Sequence, residues 1–63
     1  MKVRDVLDRL KADGWEQVRM RGSHRQFKHP EKSGTVTVSG KPGADVPPKT
    51  LASIWRQAQL EEQ

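Results

Sequence analysis

The chain has 63 residues, 32% of them apolar, which is enough for one small hydrophobic core. It contains no cysteine, which excludes disulfide bonds and thiolate zinc sites, and no apolar run approaches the roughly 20 residues of a membrane-spanning helix. The net charge is +4, and residues 19–32 hold five lysines and arginines against one glutamate, whereas the rest of the chain is balanced. We therefore expect one domain over residues 1–63, located in the cytoplasm, with no signal peptide and no membrane partner.

The first predicted element is a helix over residues 3–13. Val3, Val6, Leu7 and Leu10 recur at the spacing of one helix face. Gly14 follows, and glycine commonly ends a helix because it adopts a left-handed backbone conformation without strain.

Three short strands are predicted next. Residues 15–21 begin with a tryptophan and alternate apolar with basic side chains over 18–21, residues 24–29 contain one aromatic residue, and residues 35–38 alternate threonine with valine. Gly22–Ser23 and the segment 30–34 contain typical turn residues. A three-stranded antiparallel meander is the expected product.

A loop and a second helix complete the chain. Residues 39–48 include two glycines and three prolines, which indicates a loop. The apolar residues after it have helical spacing and predict a helix over roughly 48–59: Leu51, Ile54, Trp55 and Ala58. The predicted fold class is α+β, in the order α-β-β-β-α, with both helices on one face of the sheet and the other face open. Trp15 and Trp55 are expected in the core rather than stacked on bases.

The segment 24–29 carries the residues that could do chemistry. Because side chains alternate across a strand, Phe27 is expected in the core, with His24, Gln26 and Lys28 on the outer face. A histidine can transfer a proton near neutral pH, which beside a phosphodiester allows general acid–base catalysis. A structural or incidental histidine is the alternative, and for His29, beside Pro30, a turn or edge role is expected. With no cysteine and a single nearby glutamate, no metal site is predicted.

The cationic segment has two interpretations from charge alone. It is either a solvated face or a surface that binds the phosphates of a nucleic acid.

Four segments together resemble the HicA (YcfA-like) family of small toxins from bacterial type II toxin–antitoxin systems. They are "LKADGW", "GSHRQFKHP", "TVTV" and "PPKTLASIWRQAQL", in order over nearly the whole chain. The resemblance implies a fold like that of double-stranded-RNA-binding domains. It also implies an mRNA interferase that cleaves RNA without a metal or other cofactor, and a HicB-like antitoxin that covers the active site.

The family's catalytic histidine follows a Gly-Ser pair, which makes His24 the implied catalytic residue. The expected RNA-binding residues are Arg21, Ser23, Arg25, Lys28 and Lys41. Two positions depart from the usual pattern: Arg25 stands where a second histidine is common, and Lys41 stands near the position of another. Lys41 would act there as a cation rather than as a proton shuttle.

Two other functions are compatible with the same residues. A non-catalytic RNA-binding module of this fold would show the same cationic surface, because domains of this shape bind RNA largely through phosphate and 2′-OH contacts. A protein-interaction role, in which the basic face meets an acidic antitoxin, is compatible with either. The chain alone is expected to be a monomer.

Overall fold

The computed structural model describes residues 1–60. The elements in chain order are α1 (Val3–Asp13), β1 (Glu16–Arg21), β2 (His24–Lys28), β3 (Val36–Val38) and α2 (Pro48–Gln57). The strands form one antiparallel sheet in the order β1-β2-β3. The predicted α+β fold is confirmed, and it is consistent with the double-stranded-RNA-binding arrangement. None of the described helices is both long and apolar enough to cross a bilayer.

The core lies between the two helices and one face of the sheet. Its buried apolar residues come from every element except β1: Val3, Val6, Leu10, Trp15, Phe27, Val36, Val38, Val46, Ile54, Trp55, Ala58 and Leu60. Phe27 is completely buried at the centre of the sheet, and both tryptophans are buried as predicted. Because β2 alternates, the burial of Phe27 directs the neighbouring residues of that strand to the opposite face.

α1 ends in a Schellman motif that places Gly14 against the ring of His29, the residue after β2. The amide of Gly14 donates to the carbonyl of Lys11, and the amide of Trp15 donates to the carbonyl of Leu10. Gly14 has φ 106°, and a β-carbon added to it would lie 2.7 Å from Nε2 of His29. Glycine is required here both by the backbone conformation and by this close approach.

The hairpin of β1 and β2 contains a bulge that the sequence pattern does not reveal. Pairing passes from Gln17 opposite Phe27 to Arg19 opposite Gln26, so Val18 is an extra residue in β1. The hairpin closes at Arg21 opposite His24. All six residues of β1 are exposed, so the helices cover β2 and β3 but leave β1 uncovered.

The loop between β3 and α2 is docked on the start of α1. The amides of Val3 and Arg4 donate to the carbonyls of Ala44 and Pro42, at 2.9 and 3.0 Å. These contacts satisfy two of the amides that a helix N-terminus leaves without partners inside the helix. They hold the turn that carries Lys41.

Gly14→Ala should destabilise the fold by about 1–3 kcal/mol, because alanine is strained at positive φ and its methyl group would collide with the His29 ring. Urea unfolding of the two proteins measures the difference. Gly43→Ala is the matched control, since Gly43 has open space around its Cα and no positive φ. Equal losses in the two variants would contradict the role assigned to Gly14.

Candidate nucleic-acid interface

One face of the sheet is not covered by either helix and carries most of the polar side chains of the hairpin. In an antiparallel sheet, directly paired residues project to the same face. The pairs Glu16–Lys28, Arg19–Gln26 and Arg21–His24 therefore share one face, and Thr37 of β3 joins it opposite Gln26. We call this set the open face: Glu16, Arg19, Arg21, His24, Gln26, Lys28 and Thr37.

The bulge at Val18 is what puts both arginines of β1 on the open face. Gln17 pairs with Phe27 and so belongs to the helix-covered face. Regular alternation from Gln17 would place Arg19 and Arg21 on that same covered face. The extra residue shifts the alternation by one, so the two arginines lie on the same side as His24. Arg19 was not among the residues predicted for the site, although its spacing from Arg21 already indicated a shared face.

His24 is exposed at the turn end of the hairpin, on the predicted side of the sheet. Arg21 is its direct partner across the strands, which sets their Cβ atoms about 5 Å apart. No hydrogen bond to any other residue in the range 1–60 holds the His24 ring. The imidazole is therefore free to be oriented by a bound molecule and to use either ring nitrogen.

Arg25 does not lie on the open face. It alternates with His24, lies on the helix-covered side with Phe27, and is only 9% exposed. Its Nη1 donates to the carbonyl of Gly40 at 2.9 Å. Arg25 thus joins the middle strand to the loop that carries Lys41, and the structure does not bring it together with the open-face residues; its contact with RNA stays a prediction.

Ser23 and Lys41 are both exposed, but neither is on a strand. Ser23 is the second residue of the hairpin turn, next to His24. Gly22 before it has φ 57°, the positive value needed at the first position of a type II′ turn. Lys41 lies in the turn that docks on α1. Ser23 therefore adjoins the open face at the turn, whereas Lys41 lies beside Gly40 in a loop that contacts α1 and Arg25 on the helix-covered side.

Lys32 belongs to the cationic segment of the sequence but has a structural position. Its Nζ lies 2.6 Å from Oδ2 of Asp13 and donates to the carbonyls of Ala58 and Gln59 at 3.2 and 3.3 Å. It therefore ties the end of α1 to the end of α2, where a cation also interacts favourably with the helix dipole. The hydrogen bond from Lys32 lowers the pKa of the Asp13 carboxyl below its ordinary value of 3.8, against the opposing effect of its burial.

His29 has a structural role that goes beyond the expected turn or edge position. Its Nδ1 accepts hydrogen bonds from the amides of Glu31 and Lys32, at 3.0 and 3.1 Å. The proton therefore resides on Nε2, which donates to the carbonyl of Asp13 at 2.7 Å. The ring also meets the Trp15 ring edge-on, with centroids 5.3 Å apart. His29 consequently fastens the end of β2 to the end of α1 and is not available on the open face.

The family comparison identifies the kind of protein. Residues 3–60 match the family model described as "HicA toxin of bacterial toxin-antitoxin". The chain belongs to the HicA toxin family. It is a toxin of a toxin–antitoxin system and pairs with an antitoxin. No curated protein matches the chain.

The described part of this HicA toxin offers no cluster of metal ligands. Within residues 1–60 no three His, Cys, Asp or Glu side chains are grouped so that they could hold a metal ion. The open-face neighbours of His24 are Arg21 and Gln26, and neither offers a thiolate, an imidazole or a carboxylate.

The stability of this HicA toxin should fall on acidification in a way that depends on Asp13. The pKa of Asp13 is lower in the folded than in the unfolded chain, so its contribution to stability is complete above pH 3.8 and is lost as the pH falls through the folded value. Asp13→Asn should reduce the free energy of unfolding at pH 7 by about 1 kcal/mol. It should also flatten the acid limb, the part of the stability profile in which the free energy of unfolding falls with pH. Urea unfolding between pH 2 and pH 7 measures both effects.

Asp8→Asn on the exposed side of α1 is the matched control and should keep the acid limb. An unchanged acid limb in Asp13→Asn would show that the pair with Lys32 does not stabilise the fold.

Proposed function

We propose that this HicA toxin is a metal-independent endoribonuclease that cleaves mRNA in the cytoplasm, with His24 as the general acid/base. The observation that carries the proposal is the exposed, unbonded imidazole of His24 directly opposite Arg21 on a face with two further cations, Arg19 and Lys28. A proton-transfer group and phosphate-binding groups are thereby brought together on one exposed surface.

The chemistry that fits this face uses the 2′-OH of the substrate as the nucleophile. His24 removes the 2′-OH proton, the 2′ oxygen forms a bond to the adjacent phosphorus, and the bond from phosphorus to the 5′ oxygen of the next nucleotide breaks. A proton returned to that oxygen completes the step. The products are a 2′,3′-cyclic phosphate and a 5′-OH. The nucleophile and the leaving group both belong to the RNA, so the protein has to supply proton transfer and charge stabilisation.

Arg21 is the cation best placed to stabilise the charge that develops on the phosphorus oxygens. It is the cross-strand neighbour of His24, and a guanidinium can bind two phosphate oxygens at once. Arg19 and Lys28 lie further along the hairpin and would bind neighbouring phosphates, although Lys28 is also paired opposite Glu16. Ser23 would add a contact at the turn beside His24, and Lys41 would add one only for an RNA that extends beyond the open face.

A second candidate function is an RNA-binding module of the same fold that does not cleave. The observation that favours it is that, among residues 1–60, no second histidine or carboxylate lies beside His24 on the open face, since Glu16 is paired at the far end of the hairpin and His29 is held elsewhere. Cleavage then requires His24, water or the RNA itself to supply the second proton transfer.

The antitoxin in this proposal is a HicB-like protein that covers the open face. An acidic protein surface would complement the arginines and Lys28 and would prevent phosphates from reaching His24. Such complementarity would also speed capture of the toxin.

His24→Ala should lower the rate of RNA cleavage by roughly 10²–10⁴-fold, because it removes proton transfer without touching the core. The measurement is cleavage of a defined single-stranded transcript in EDTA, with and without ribosomes, and mass spectrometry of the product ends. Gln26→Ala is the matched control, because it changes the adjacent open-face residue on the same strand.

Products ending in 3′-OH would contradict attack by the 2′-OH. Binding of RNA without cleavage by folded wild-type protein, in both conditions, would favour the non-catalytic module.

RNA binding should weaken steeply with salt, and Arg21→Gln should reduce that dependence. Each phosphate contact to a single strand contributes about 0.7 to the slope of log affinity against log salt concentration, so losing one contact lowers the slope by about that amount. Fluorescence anisotropy with a 2′-deoxy analogue at several salt concentrations gives the slope.

Lys49→Gln, an exposed lysine of α2, is the matched control for loss of one charge. Equal changes in the two variants would indicate that net charge, rather than the open face, binds RNA.

A further inference from the structure

β1 forms an edge of the sheet, and its side chains are exposed along the whole strand. It lies at one end of the strand order, beside β2, and no backbone hydrogen bond within residues 1–60 joins it to a segment other than β2. Its six residues are all exposed, including Val18 at 56% and Met20 at 55%. Large apolar side chains at this level of exposure beside unpaired strand amides and carbonyls form a typical site for adding another strand.

We propose that the outer edge of β1 binds an extended strand of the antitoxin, one with acidic side chains on the open-face side and apolar side chains beside Met20. The inference rests on the antitoxin pairing in the proposed function and does not depend on whether the chain cleaves RNA.

The two faces of β1 specify the chemistry of the added strand. Arg19 and Arg21 project to the open face, so a neighbouring strand with glutamate or aspartate on that side would form cross-strand ion pairs. Met20 projects to the other face, opposite Arg25, where an apolar side chain of the added strand would cover it. The incoming backbone would satisfy the amides and carbonyls that point away from β2.

Charge favours an acidic partner over a second copy of this chain. β1 carries two arginines and one glutamate, and each copy has a net charge of +4. Pairing two β1 edges would bring two cationic open faces side by side, whereas an acidic strand neutralises the arginines.

A strand at this edge would also bring the antitoxin to the open face. Arg21 belongs to β1 and is the direct partner of His24, so only β1 would separate the added strand from the strand that carries the histidine. The inhibitor would therefore be anchored on backbone hydrogen bonds while its acidic side chains occupy the phosphate-binding arginines.

The test compares the chain alone with its complex, prepared by co-expressing the chain with its antitoxin. Amide hydrogen exchange over residues 16–21 is the direct readout, since strand addition should slow the exchange of the amides that point away from β2. Binding affinity is measured for wild type, Met20→Glu and Met20→Thr, with RNA cleavage measured in parallel. Ala12→Glu on the exposed side of α1 is the matched control.

Slower exchange of β1 in the complex and a loss of affinity of roughly tenfold or more in Met20→Glu are expected, with RNA cleavage and Ala12→Glu unchanged. Met20→Thr keeps a residue that favours strands and should weaken antitoxin binding less than Met20→Glu does. Circular dichroism of both variants checks that neither loss of affinity comes from a folding defect.

Several results would overturn the inference. They are a complex in which β1 exchanges as fast as in the free chain, a Met20→Glu variant that binds as wild type, a chain that dimerises through β1 by itself, or a Met20→Glu variant that loses RNA cleavage while keeping the antitoxin. A chain that binds the antitoxin through β1 and leaves RNA intact would refute the nuclease proposal alone.

Discussion

The burial of Phe27 between the sheet and the two helices fixes the direction of every other side chain in β2. Because Phe27 is completely buried, Arg25 on the same side must also point toward the helices, and His24, Gln26 and Lys28 must point away. A two-layer fold with both helices on one face leaves that side of β2 uncovered by either helix. The exposure of His24 is thus a consequence of core packing three positions away along β2, and the buried core determines the geometry of the open face.

The same packing divides the charged and titratable groups into two sets. Arg25, Lys32 and His29 bind carbonyls or carboxylates of their own chain and hold together the β3–α2 loop, the ends of both helices and the end of β2. Arg19, Arg21, Lys28 and His24 lie on the open face and leave their charge or ring available to an external anion. The number of cations in a sequence segment is therefore larger than the number available to bind an anion, because some of these cations stabilise the fold.

Periodicity predicted both helices, the three strands, the core residues and the side of β2 that His24 occupies, since each depends on local spacing. The remaining differences depend on contacts between distant parts of the chain. Whether Arg25 is buried depends on the carbonyl of Gly40, and the role of Lys32 depends on the end of α2. The bulge at Val18 is also invisible locally, because Val18 and Met20 fit a regular strand equally well. The catalytic assignment of His24 came from family resemblance, as a strand histidine by itself is uninformative.

We propose that RNA binds the open face around His24 and does not contact the side of the molecule that carries His29. The most direct test is a nuclear magnetic resonance titration of the wild-type chain with a short 2′-O-methyl RNA, which cannot be cleaved by 2′-OH attack. We expect changes in chemical shift at Arg19, Arg21, Lys28 and the His24 ring. The His29 ring should keep its proton on Nε2 and show no change. Shifts centred on His29, Lys32 and the helix ends, with His24 unaffected, would contradict it.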